Sequence, residues 1–130
     1  MSAIAASLDR SIFLRRVLLV DAATCMATGA LLALARAPLA ALLGLPGTLL
    51  LYAGVSLFPC AALMLWVARR EPLARAAAWL VVVGNALWVL GSAALLVVYS
   101  PTALGDVFVI AQALAVALLA ELEYIGLRRS

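Results

Sequence analysis

Six side chains of types able to do chemistry stand where such types are costly: Asp21, Asn85, Trp88, Gln112, Glu121 and Glu123, within or at the edges of long apolar runs. A carboxylate in such a run binds a proton or a cation, or pairs with an arginine. An amide there bonds the polar head of a ligand or a neighbouring helix. Helical spacing gathers these residues into stripes. Asp21, Thr24 and Thr28 lie three and four apart and share a face. Tyr52, Ser56 and Cys60 recur every fourth residue, Asn85 leads to Trp88 and Ser92, and Gln112 lines up with Glu123 about three turns on.

Two readings follow from the stripes. In one they are interhelical glue, since an amide in hydrocarbon must find a partner, at about 0.6 kcal/mol per bond. Small residues at spacing four (Ala23 and Ala27, Cys25 and Gly29, Ala113 and Ala117) fit that reading by permitting close helix approach. In the other, the stripes face one another around a lipophilic molecule with a polar head. Trp88 then offers a flat surface, Asn85 and Gln112 the polar contacts, and Asp21 a proton- or cation-binding carboxylate. The second reading predicts that Asn85→Leu destroys ligand binding while the protein still folds.

Other chemistry lacks its residues. The chain has no His, the commonest metal and haem ligand and the usual general base. Cys25 and Cys60 form no CxxC pair and read as inert buried thiols. No nucleophile–base set or metal cluster is legible, so neither catalysis, a cofactor nor a metal is expected.

The elements that position the polar residues follow from composition. Of 130 residues, 68% are hydrophobic and 12% charged, with a mean hydropathy of +1.23. A soluble domain this small exposes much of its chain and needs a polar exterior, which this composition cannot supply. Lipid must be the solvent. The expected fold is all-α, a single integral membrane domain over residues 1–130, with spans at about 17–35, 48–68, 76–98 and 103–122. Each is about 20 residues, enough at 1.5 Å per residue to cross a hydrocarbon core of about 30 Å. Short turns at Arg69-Arg70-Glu71-Pro72 and Tyr99-Ser100-Pro101-Thr102 make their flanking helices antiparallel, hence a four-helix up-down bundle. The first connection is punctuated by Arg36, Pro38, Gly44, Pro46 and Gly47, and its apolar middle, LAALLGL, reads as an interfacial segment. Residues 1–11 read as a helical lead-in at the membrane surface. Pro59 predicts a kink near Ser56. A faint repeat places Asp21 upstream of Ala37-Pro38 much as Asn85 lies upstream of Ser100-Pro101, as in a duplicated hairpin.

Arginine placement sets orientation. All nine basic residues are arginine, against six acids, for a net charge of +3. They cluster at the ends of apolar runs, which excludes a nucleic-acid footprint. Arg10, Arg15 and Arg16, then Arg69, Arg70 and Arg75, then Arg128 and Arg129 mark one side, and Arg36 alone marks the other. The positive-inside bias puts both termini in the cytoplasm, with the location a bacterial inner membrane. Phe13, Trp66, Trp79 and Tyr124 fall at the inner boundary, and Tyr52, Tyr99 and Phe108 near the outer one. With Val17 as the inner boundary, Asp21 lies about four residues deep and Glu121 comparably so. Asp21, Glu121 and Glu123 then share a layer with the arginines, and Arg15, Arg16, Arg70, Glu121, Glu123 and Arg128 read as an ion-paired collar. Arg15-Arg16, the apolar stretch and Ala35-Arg36-Ala37 mimic a signal peptide, but Asp21 and the length of the stretch argue against cleavage.

The stretches FLRRVLLVDAATCMATGALLALA, VVGNALWVLGSAALL and AQALAVALLAELEYIGLRR make up nearly half of the chain. In them the layout resembles small uncharacterised four-span bacterial inner-membrane proteins of the DoxX-like kind. They hold no motif of known chemistry, so no functional residue carries over. DoxX-like proteins include subunits associated with quinone-linked oxidoreductases, so the resemblance implies an accessory role. Small multidrug-type transporters are similar in having four helices and a first-helix acid, analogous to Asp21, and they work as dimers. The residues around Asp21 do not match theirs.

The function expected is therefore non-enzymatic: an accessory or assembly subunit of a larger membrane complex. The alternative is a dimeric small transporter or lipophilic-ligand-binding protein using Asp21 and a polar bundle axis. Membrane lipids and other membrane subunits, or a second copy, are the expected partners, with no nucleic acid. The arginine- and glutamate-rich ends, 1–16 and 121–130, are the candidate contacts.

Overall fold

The computed structural model describes the backbone of residues 2–70 and 73–129, and within those stretches the side chains from Ile12 onward. The side chain of Arg10, the Glu71-Pro72 pair of the charged turn, and Ser130 lie outside the described residues. Five helices follow one another: α1 (Ser2–Leu34), α2 (Arg36–Leu43), α3 (Gly47–Arg69), α4 (Arg75–Tyr99) and α5 (Ala103–Arg129). No strand occurs among the described residues. Four of these helices, through the stretches Ile12–Leu34, Gly47–Arg69, Arg75–Tyr99 and Ala103–Arg129, are long and apolar enough to cross a membrane. The chain is an all-α, multi-pass membrane protein.

Proline and glycine place the breaks. Pro38 lacks the N–H that would bond the Leu34 carbonyl, and α1 gives way to α2 there. Gly44 closes α2 in the left-handed conformation, its N–H donating to Ala40 O. The segment expected to lie along the interface is thus a short helix. Pro46 caps α3. Pro59, in the middle of α3, does not interrupt the helix, and Ser56 Oγ donates to Ala53 O (2.8 Å) beside it. Ser100, at φ 47°, ends α4 ahead of Pro101.

Two helices extend beyond the expected spans, one of them through the expected helical lead-in. The backbone of 2–11 continues into α1 without a break, and α5 runs to Arg129 rather than stopping near 122. Both stretches contain good helix formers and no proline, so their charges do not end the helix.

The connections pair up at the two ends of the bundle. At one end α2 docks on the α4–α5 turn. Thr102 N donates to Leu43 O (3.1 Å), its Oγ1 donates to Leu42 O (2.7 Å) and accepts from Gly105 N (3.1 Å). One threonine therefore ties down two carbonyls of α2 and caps α5. Gly105 is required there, because a Cβ would overlap the Leu43 carbonyl. At the other end Arg15 Nη1 donates to Ala68 O (2.7 Å), and Gly126 packs on Leu14.

The closest packing is between α1 and α3, where Gly29 and Gly54 bring backbones together. A Cβ on either would stand 2.8 Å from the other's carbonyl oxygen. Helix α4 packs on α5 and α5 on α1, but α3 and α4, consecutive in the chain, touch only sparsely. The tightest core lies toward the arginine-bearing end, where Leu14, Leu18, Val67 and Leu127 are fully buried. Outward, large apolar side chains such as Leu87, Leu90, Leu114 and Leu118 are exposed, as suits a surface whose solvent is lipid.

Candidate functional site

Asp21 is the only acid of its span and lies about 14 Å along α1 from Ile12, at 1.5 Å per residue. It stands four residues past Val17, where the apolar run begins after Arg15-Arg16. Asp21 is 1% exposed. Asn85 stands at the middle of α4, buried and turned to meet it, and Glu123, on the last turns of α5, comes in from the third side at 1% exposure.

The three form one hydrogen-bonded site. Asn85 Nδ2 donates to Asp21 Oδ2 (2.8 Å) and to Glu123 Oε1 (2.7 Å). Both amide hydrogens are spent on carboxyl oxygens, one from each of two helices. Cys25, one turn along α1, points its thiol at Asp21 Oδ1 (3.6 Å). Glu123 Oε2 alone is buried with no hydrogen-bond partner among the described residues. An orphaned acceptor is costly in a medium without water, so this atom calls for an explanation.

A second polar cluster lies about a turn further along α4. Trp88 Nε1 donates to Gln112 Oε1 (2.7 Å), Gln112 Nε2 donates to Ser92 Oγ (2.9 Å) and to Val109 O (2.9 Å), and Ser92 Oγ donates back to Trp88 O (2.8 Å). Asp21 and Asn85 are therefore brought together, as are Trp88 and Gln112, but the four expected ligand residues form two clusters rather than one.

Two cavities open beside these clusters, in the seam where α3 and α4 fail to close. One of about 420 Å³ is bordered by Thr28, Leu50, Trp88, Ser92 and Gln112. The other, of about 350 Å³, reaches Cys25, Cys60, Met64 and Asn85. Gly84 borders both and Gly91 the first, and at either position a Cβ would have no neighbour within 4 Å.

Several expectations are corrected. Glu123 does not serve a collar at the membrane rim; its carboxyl is turned inward to Asn85. Arg128 instead donates to Tyr124 Oη (3.3 Å) and lies over its ring, Arg70 lies over Trp66 at 4.9 Å, and Arg15 bonds the end of α3. Arg16 and Glu121 are exposed. Arg70 and Arg128 thus lie over aromatic rings, and Trp79 packs edge-on against Tyr124 at 5.5 Å. On the stripes, Thr24 is exposed and bonds its own Val20 carbonyl, Tyr52 and Ser56 face outward, and Cys60 is exposed rather than buried. Phe108 is half-buried against the core, which leaves its expected place near the outer boundary as it was. Glu123 was expected as a site residue of the collar, not as a partner of Asn85. The signal for that pairing was Asn85, an amide in mid-span with two hydrogens to place.

No protein-family model, curated protein or solved structure matches the chain, so its geometry carries the functional reading.

Proposed function

We propose that this protein is a non-enzymatic membrane protein that binds a lipophilic molecule with a polar head, in the seam between α3 and α4. One observation carries the reading: a cavity of about 420 Å³ whose wall holds the Trp88–Ser92–Gln112 cluster and two glycines facing open space. Glycine within a helix costs about 1 kcal/mol relative to alanine. Here it leaves room of ligand size beside polar groups, the usual composition of a small-molecule site.

Quenching of Trp88 by a brominated fatty acid, with Trp66 and Trp79 changed to Phe, tests it. Saturable quenching that Gly91→Leu abolishes is the expected result. Quenching that rises without saturation, equal in the two proteins, refutes it.

The same seam supports a second reading, an accessory subunit of a larger membrane complex. A glycine-lined groove on a membrane helix also admits a neighbouring helix, and Leu80 and Leu87 beside it are exposed. Mass measurement of the gently extracted protein separates the readings: a companion chain, lost in Gly84→Leu, favours the subunit. A discrete dimer favours a small transporter. In either case we place the arginine-bearing end in the cytoplasm of a bacterial inner membrane, on the positive-inside bias. Labelling of a cysteine introduced at Ser130 from the cytoplasmic side only is the result expected.

A further inference from the structure

We infer that Asp21, Asn85 and Glu123 form a proton-binding site within the membrane, in which the two carboxyls hold one exchangeable proton between them. The inference stands on the carboxyl geometry and does not depend on what fills the seam.

Two carboxyl oxygens from different helices lie within hydrogen-bond distance of a single amide nitrogen. Sharing that nitrogen at 2.8 and 2.7 Å holds the Asp21 and Glu123 carboxyls side by side. Both residues are 1% exposed. Two like charges so close, with little water to screen them, cannot both persist. An opposing cation would relieve them, but among the described residues no arginine bonds either carboxyl, and Arg15 donates to the end of α3. The groups bonded to the pair among the described residues are Cys25 on α1 and Asn85 on α4, neither of them a cation.

What the site lacks is one hydrogen. Asn85 has given both of its own, Cys25 turns its thiol to Asp21, and Glu123 Oε2 remains without a donor among the described residues. A proton on either carboxyl supplies a donor, removes one of the two charges and needs no added atom heavier than hydrogen. A metal ion fits less well, because no three His, Cys, Asp or Glu side chains among the described residues are gathered as ligands. The exchange route is the cavity of about 350 Å³, which reaches Asn85 and Cys25 from the α3–α4 seam.

Infrared spectroscopy of the full chain in lipid nanodiscs at neutral pH tests this directly on the unaltered protein. The expected result is a carbonyl-stretch band of a protonated carboxylic acid, moving to lower frequency on transfer to D₂O. The double variant D21N/E123Q is expected to lose the band, and Gly84→Leu, which fills the cavity beside Asn85, to slow the deuterium shift without removing the band. Absence of the band from the wild-type protein overturns the proposal, as does a band that never shifts in D₂O or one that persists in D21N/E123Q. Loss of the band on adding sodium ion at fixed pH also overturns it, and points to a metal-cation site instead. Saturable Trp88 quenching without the infrared band leaves the ligand seam standing and removes only the proton site; the band without quenching does the reverse.

Discussion

Gly29 and Gly54 meet backbone to backbone where α1 crosses α3, whereas a Cβ at Gly84 or Gly91 on α4 would have no protein atom within 4 Å. All four are glycines inside membrane-spanning helices, and each lies in a run of alanine, leucine and valine. On α1 and α3 the missing side chain is used for approach, so carbonyl oxygens stand where a Cβ would be. On α4 it is used for room. A glycine in a membrane helix therefore marks either a contact or a vacancy, and only the partner helix decides which.

Substitutions break or sharpen that contrast. The largest effect is expected from Gly54→Leu, which drives a side chain into Gly29 O and the Leu32 Cβ. The bundle is expected not to assemble, seen as loss of monodisperse protein in mild detergent. Gly54→Ala is the graded version, at about 1–3 kcal/mol of destabilisation in a denaturant titration.

Next comes Asn85→Leu, at the border of the closed and open regions. It strips donors from Asp21 Oδ2 and Glu123 Oε1 together, at about 1–3 kcal/mol for each acceptor left bare. The expected readout is a lower unfolding midpoint; the sequence alone predicted that this variant still folds.

Gly84→Ala and Gly91→Ala are expected to do the opposite of Gly54→Ala. They meet no neighbour and raise stability by up to about 1 kcal/mol each through helix propensity. A fall in stability at either position would mean that the seam is closed in the membrane. The smallest change is expected from Trp88→Phe, which removes the Nε1 bond to Gln112 Oε1, at about 0.6 kcal/mol by the same titration.

How much was legible can be judged residue by residue. Asp21, Asn85, Trp88 and Gln112 stood out because each is polar within an apolar span, and all four make buried or half-buried interhelical bonds. Their pairing was not legible. Spacing along one helix says which residues share a face, but not the rotation or depth at which that face meets another. Glu123 was misplaced for the same reason: its neighbours Arg128 and Arg129 suggested a rim, while the continuation of α5 turned it inward. Thr24 and Thr28 share a stripe, yet only Thr28 reaches a cavity, because the inward face of α1 is narrower than that stripe.

Composition and apolar run length determined by themselves that four helices are long and apolar enough to cross lipid, where a helix satisfies its own backbone. Proline and glycine placed most of the breaks, through local backbone geometry. Tertiary structure alone decided that one amide serves two carboxyls, that one carboxyl oxygen has no donor among the described residues, and that α3 and α4 part beside it. These depend on helix rotation and depth, which arise from the sum of many small packing contacts between segments distant in the chain.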